Sequence, residues 1–197
     1  MTTGRRSAVL AAFFIAIPCL AVAQGSGGVA GSRTHQRATV HATRAHAAPD
    51  TSGNSAGEFM SSDVASKTVK ISLTASLGSA NGGMNFNGGF KGDKTVTVPV
   101  GWSVKMSFVN KDAIPHSAII LVDSFPLPMA PENPAIARAY TNELTGGLPT
   151  GGTDSMDFKT TKPGKYLIVC GVPGHGPSGM YIKFDVSGEA KVPSYTK

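Results

Sequence analysis

The chain has 197 residues, 41% of them hydrophobic, which supports one globular domain with a core plus terminal segments that need not fold. With 24 glycines, 13 prolines and only 15% charged residues, the composition favours turn-rich β structure and argues against a bundle of long amphipathic helices. The net charge of +6 is a mild basic excess, and no run of Lys/Arg interleaved with aromatics marks a nucleic-acid surface; it suits a solvated surface, an acidic protein partner or an anionic membrane.

Arg5 and Arg6, the apolar stretch over 8–20 and the cleavage-like Ala21-Val22-Ala23 read as an export signal, so residues 1–23 are expected to be removed and the mature chain to begin near Gln24. The apolar stretch falls short of the ~20 residues of a spanning helix. An uncleaved anchor, with membrane association through the N-terminus, is the alternative. Ile17-Pro18 before Cys19 is a poor lipoprotein site, and the paired arginines are a weak pointer to twin-arginine export. The expected location is the periplasm or the outer face of the cytoplasmic membrane. Losing the leader removes Cys19 and leaves Cys170 as the single thiol, which cannot form an internal disulfide. A lone thiol in an oxidising compartment is either buried or held as a metal thiolate.

Residues 24–66 are rich in Gly, Ser, Ala, Thr and His and read as a flexible arm. His35, His41 and His46 within it are isolated, and solvation explains them better than metal capture. At Lys67 the pattern becomes alternating, and a domain over 67–187 is expected, followed by a tail over 188–197. Val69, Ile71 and Leu73 share one side of a half-buried strand. Asn81-Gly82-Gly83 and Asn87-Gly88-Gly89 supply turns around Met84-Asn85-Phe86. Val96, Val98 and Val100 form a second alternating set, and Val104, Met106 and Phe108 a third. Residues 118–122 are continuously apolar, as for a strand covered on both faces.

Residues 123–154 break the rhythm with Pro126, Pro128, Pro131 and Pro134, then Gly146-Gly147 and Gly151-Gly152, and read as a long excursion between strands. A short helix is expected over 135–144, with Asn133 as N-cap and Pro134 at its first position. Met156 and Phe158 alternate again. Lys162-Pro163-Gly164 turns into an apolar strand over 165–169, and Met180, Ile182, Phe184 and Val186 share one face of the last strand. The fold class is therefore all-β.

The segment carrying chemistry is Cys170-Gly171-Val172-Pro173-Gly174-His175-Gly176-Pro177-Ser178-Gly179-Met180, in which a thiolate, an imidazole and a thioether recur at C-x4-H-x4-M spacing between two strands. Soft sulfur donors with an imidazole favour copper over magnesium, calcium or manganese. Pro stiffens such a loop and Gly lets its backbone approach closely. The missing donor is His116, the only histidine outside the arm and the loop. Taken singly, Met180 is a core methionine, Cys170 a small buried residue, His175 a polar loop residue and His116 a satisfied histidine. Jointly, on the only thiol of an exported chain, they match the His₂Cys pattern with a long axial Met of a type 1 copper site.

These residues carry a family resemblance. Pro163-Gly164-Lys165-Tyr166, the Cys170-to-Met180 loop and Pro115-His116 resemble the cupredoxins; Met84-Asn85-Phe86-Asn87-Gly88, Val100-Gly101-Trp102, Ile114-Pro115-His116 and residues 169–175 resemble, more narrowly, the sulfocyanin family of blue copper proteins. The likeness spans roughly 67–186 and excludes the arm. It implies a Greek-key β-sandwich, one copper ion and single-electron transfer outside the cytoplasm in a respiratory chain. It also implies a monomer whose redox partners are cytochromes or a terminal oxidase, and a docking surface of Val172, Pro173, Gly174 and Pro177 around His175.

Three other readings compete. A copper carrier would use an open, Met- or His-rich site that releases its metal. A multicopper enzyme would need His-x-His pairs for further copper sites, and a dinuclear electron-transfer centre a second cysteine; the mature chain has neither. Structural zinc is poorly served by a Met ligand. The chain is thus read as a non-enzymatic electron carrier.

One departure stands out. Many cupredoxins follow the first histidine ligand with Asn, whereas this chain has Ser117. Hydrogen bonding near the thiolate tunes the potential of a copper site. Ser117→Asn is therefore expected to shift the reduction potential, and an unchanged voltammogram would reject that role.

Overall fold

A computed structural model describes residues 56–197. The predicted leader over 1–23, and His35, His41 and His46 of the predicted arm, lie outside the described residues. The elements in chain order are α1 (Ala56–Phe59), β1 (Met60–Asp63), β2 (Thr68–Ala75), a 3₁₀ turn at Ala80–Gly83, β3 (Thr95–Pro99), β4 (Ser103–Asn110), β5 (Ile119–Val122), β6 (Thr153–Lys159), β7 (Gly164–Val169), β8 (Tyr181–Ser187) and β9 (Ser194–Thr196). Among the described residues no helix is long and apolar enough to cross a membrane.

The strands form two mixed sheets, ordered β1-β2-β4-β6 and β5-β7-β8-β3-β9, which face each other as a Greek-key sandwich. Two pairs, β2 with β4 and β3 with β8, are parallel, because the chain crosses between the sheets after β2 and again after β3. Parallel neighbours cannot be joined by a hairpin. The alternation seen in the sequence supplies the inner faces: Val69, Ile71, Leu73, Val104, Met106, Phe108, Met156 and Phe158 from one sheet meet Val96, Val98, Ile168, Ile182, Phe184 and Val186 from the other. Each is close to fully buried, and burial of one such side chain contributes roughly 1.5–3 kcal/mol.

Four expectations need correction. The arm does not run to residue 66: β1 pairs antiparallel with β2, and Phe59 stacks on Tyr195 with ring centroids 5.7 Å apart, so the bulky Phe59 and Met60 already belong to the domain. The last residues are not merely a tail, because β9 pairs with β3 and buries Tyr195 against the core. Residues 118–122 are covered on both faces only at their start: Ala118, Ile119 and Ile120 are fully buried, whereas Val122 is 57% exposed.

The helix expected over 135–144 is absent. Its backbone groups are used to line the free edge of β5: Ala135 N–H donates to Ile120 C=O (2.8 Å), Ile120 N–H to Ala139 C=O (2.9 Å) and Thr141 N–H to Ala118 C=O (2.9 Å). Arg138 takes a left-handed φ of 67°, which no helix tolerates. Capping signals were present, but pairing with a buried strand outweighs about three turns of marginal helix. The excursion thereby covers an edge that would otherwise be open to aggregation.

The Asn-Gly segments between β2 and β3 have a structural reason. Asn85 is fully buried, and its Oδ1 accepts from the N–H groups of Leu77 (3.0 Å) and Gly88 (2.9 Å) while its Nδ2 donates to Ala80 C=O (2.9 Å). Asn87 imitates a strand neighbour, accepting from Thr74 N–H (2.7 Å) and donating to Ser72 C=O (2.9 Å). Trp102 is fastened by Thr160, whose hydroxyl oxygen accepts the Trp102 N–H (3.0 Å). Because Asn85→Ala strands several buried backbone groups at once, it should cost about 3 kcal/mol. Urea unfolding of the variant against the parent protein measures that loss.

Candidate metal centre

β4 ends at Asn110 in one sheet, and the chain crosses to begin β5 in the other at Ile119. His116 sits on that crossing. Its backbone exchanges hydrogen bonds with Leu148 of the excursion, N–H to C=O at 3.2 Å and the reverse at 2.8 Å, and its side chain is fully buried. Asn110 shapes the crossing from within, donating from Nδ2 to Ile114 C=O (2.8 Å) and Leu148 C=O (2.9 Å).

The other donors hang from the loop between β7 and β8. Cys170 N–H donates to Met180 C=O (3.0 Å), so the ladder of the two strands clamps both ends of the loop. Inside it, His175 N–H donates to Val172 C=O (3.1 Å), Ser178 N–H to Gly174 C=O (3.0 Å) and Met180 N–H to His175 C=O (3.0 Å). These turns fold the loop back so that Cys170, His175 and Met180 lie at one end of the sandwich. Cys170 and Met180 are fully buried and His175 is half-buried.

His116 Nδ1, Cys170 Sγ and His175 Nδ1 converge. The two nitrogens are 3.2 Å apart, and the sulfur lies 3.7 Å from the first and 3.5 Å from the second. Donors about 2.0–2.3 Å from a shared ion in a trigonal plane stand roughly 3.5–4 Å from each other, taking zinc distances as a guide to size. The spacing fits one ion of that radius. His116 Nε2–H donates to Asp112 Oδ2 (3.0 Å), which leaves its Nδ1 as a lone pair aimed at the other two donors. Two imidazoles and a sulfur clustered this closely in a buried pocket form a ready-made ligand set for one cation. With Met180 alongside, two imidazoles and soft sulfur suit copper better than a hard oxygen-seeking ion.

Burial raises the Cys170 thiol above its ordinary range, partly offset by hydrogen bonds from Ser117 and Val172. Burial, then the neighbouring His116, lowers His175, with Asp112 pulling weakly the other way. The Asp112 carboxyl is lowered, first by its hydrogen bond with His116. Apolar surroundings thus disfavour charge on both Cys170 and His175. A cation in the pocket would instead favour the thiolate and the neutral imidazole, since metal ligands must be deprotonated.

Ser117 is fully buried; its hydroxyl donates to Leu144 C=O (2.6 Å) and accepts the N–H of Gly171 (3.0 Å), the residue after Cys170. Ser117 therefore performs the loop-fastening task expected of the residue after the first histidine. A Cβ on Gly171 would come within 2.9 Å of that hydroxyl, so the close approach depends on glycine.

Of the four residues expected from the sequence, His116, Cys170 and His175 bring their donor atoms together, and the backbone bond from Cys170 N–H to Met180 C=O sets the buried Met180 beside them. Missed were Asp112, the excursion residues Leu127, Met129 and Leu144 that press on the loop, and Leu148, which pairs with His116. Asp112 was readable as an acid four residues before His116, whereas nothing local says that residues 127–148 return to the site.

Residues 55–197 match the family model described as the sulfocyanin (SoxE) domain. The chain is 28% identical to sulfocyanin of Sulfolobus acidocaldarius over 134 residues, covering 64% of this chain and 67% of that one. Among solved structures, rusticyanin from Thiobacillus ferrooxidans aligns with 21% identity and a TM-score of 0.46, covering 66% of this chain and 88% of that one. Auracyanin from Roseiflexus castenholzii aligns with 22% identity and a TM-score of 0.46, covering 60% and 96%. With nearly three quarters of its length matched by that family model, and with His116, Cys170 and His175 gathered at one end of the sandwich, the chain belongs to the sulfocyanin family of cupredoxins.

Proposed function

We propose that this protein is an exported carrier of single electrons in a respiratory chain, with one type 1 copper ion held by His116, Cys170, His175 and Met180. The observation that carries this reading is the convergence of His116 Nδ1, Cys170 Sγ and His175 Nδ1 within 3.7 Å in a buried pocket. Copper in such a site supplies a one-electron Cu(I)/Cu(II) couple. The chain's own part is to hold the donors still. Cys170 and Met180 are pinned by the β7–β8 ladder, and His116 by Leu148 and Asp112. Little can then rearrange between the two charge states, and buried walls keep water out.

Burial also argues against a metal carrier. Cys170 and His116 are both at 0% exposure, a poor arrangement for handing an ion on. His175 is the half-buried donor and therefore the route to the surface. Around it lie exposed Pro173 and Pro177 from the loop, and from the excursion Met129, 67% exposed, whose carbonyl accepts Gly174 N–H (2.8 Å). Phe125, 58% exposed, shares a cavity of about 250 Å³ with Pro177, Leu127 and Tyr181. The docking face is thus larger than the loop alone. An apolar face of this kind on a mildly basic monomer suits brief contact with cytochromes or a terminal oxidase.

Loading the full chain with copper should produce intense visible absorption that reduction abolishes, and Cys170→Ser should remove it. An unchanged copper spectrum in that variant would end the proposal. Separately, a carboxylate at Val172, Pro177 or Met129 should keep the colour yet slow electron self-exchange roughly tenfold, as charge placed at an interface slows association. NMR line broadening in mixed oxidation states reads that rate, and an unaffected rate removes the residue from the docking face.

A further inference from the structure

His116 presents one nitrogen to the metal centre and the other to a carboxylate. Its ring is fully buried, and among the described residues Asp112 Oδ2, at 3.0 Å, is the acceptor for Nε2–H. Asp112 is itself held from several sides. Its N–H donates to Asn110 Oδ1 (2.8 Å), and its Oδ1 accepts Ala113 N–H (2.7 Å), which leaves Oδ2 aimed at the imidazole. Asn110 is fully buried and tied to Ile114 and Leu148, so the acid stands on a turn braced against the interior.

The segment between β2 and β3 closes over this pair. Gly83, buried and at φ 91°, lies so near that a Cβ there would stand 2.8 Å from Asp112 Oδ2 and 3.1 Å from Ser76 Oγ. The same segment reaches the metal-binding loop: Asn81 Nδ2 donates to Ser178 C=O (3.3 Å) and Lys91 N–H to Gly179 C=O (2.8 Å). A sequence motif that carries no ligand therefore clasps both the loop and the carboxylate behind the first ligand.

We propose that Asp112 is a positioning residue of the copper centre: its carboxylate holds His116 in the Nε2–H tautomer, presents the Nδ1 lone pair to the ion, and biases the couple toward the oxidised, more positive state. The inference rests on the reading of His116, Cys170, His175 and Met180 as copper ligands. A backbone carbonyl could fix the tautomer equally well, but only a carboxylate adds a negative charge, and a charge beyond a ligand acts more strongly on Cu(II) than on Cu(I). Its partial exposure, 20% for the side chain, leaves the charge only partly screened by solvent.

The test uses the copper-loaded full chain with Asp112→Asn, of nearly the same shape without the charge, and Asp112→Ala, without an acceptor. Both should remain blue. Both should bind Cu(II) about tenfold less well relative to Cu(I), which raises the potential by ~59 mV for a one-electron couple. In the diamagnetic Cu(I) form, the parent should show a slowly exchanging Nε2–H proton on His116 by nitrogen-correlated NMR, and Asp112→Ala should lose it to exchange. An unchanged potential in either variant, or a persistent Nε2–H in Asp112→Ala, overturns the assignment. A parent protein without the visible band fails the copper reading instead, so the two failures are distinguishable.

Discussion

Three candidate ligand atoms from distant parts of the chain are gathered into one buried pocket. Two imidazole nitrogens stand 3.2 Å apart, with a thiol sulfur within 3.7 Å of both. They are held because each hangs from a part of the fold stabilised by other interactions. Pairing of β7 with β8 brings Cys170 beside Met180. The crossing from β4 to β5, braced by Asn110 and Leu148, places His116 opposite. The core between the sheets supplies the free energy that orders this polar cluster, and a bound cation would add its own binding free energy to it.

The long excursion between β5 and β6 also follows from that constraint. A site at the open end of a sandwich is exposed to water unless something covers it. Leu127 and Leu144 lean on the loop, Leu148 pairs with His116, Leu144 C=O takes the Ser117 hydroxyl, and Met129 C=O takes Gly174 N–H. The segment meanwhile uses its remaining backbone groups on the edge of β5. One stretch without a regular element of its own thus shields the thiolate, protects a sheet edge and enlarges the apolar surface beside His175. Its five prolines make such a path less costly, because they carry no N–H that would need a partner.

The inner faces were legible because period-2 alternation is a local signal: Val69, Ile71 and Leu73, or Ile182, Phe184 and Val186, announce their side of a strand without reference to anything distant. The loop ligands were legible for a similar reason, since Cys170, His175 and Met180 are separated by four residues each and hang from one turn system. His116 was found by elimination rather than by proximity, 54 residues before the cysteine it meets. What stayed hidden depends on contacts between remote segments. The capping signals at Asn133 and Pro134 describe what 135–144 would do alone, and cannot register that Ile120 and Ala118 offer the backbone better partners. Likewise Phe59 and Tyr195 each look like isolated aromatics until the two ends of the domain bring them together.

The distribution of ligands across the sandwich couples the site to the whole fold. His116 follows a strand of one sheet, whereas Cys170 and Met180 flank strands of the other, so the distances between donors record how the two sheets are docked. An ion binding all of them resists any sliding of one sheet over the other, and its binding free energy becomes folding free energy. A carrier that must change charge without changing shape gains from this arrangement. The rigidity that keeps the donors fixed between oxidation states is the same resistance to shear that a tightly packed core of Phe108, Met106, Ile168 and Phe184 provides.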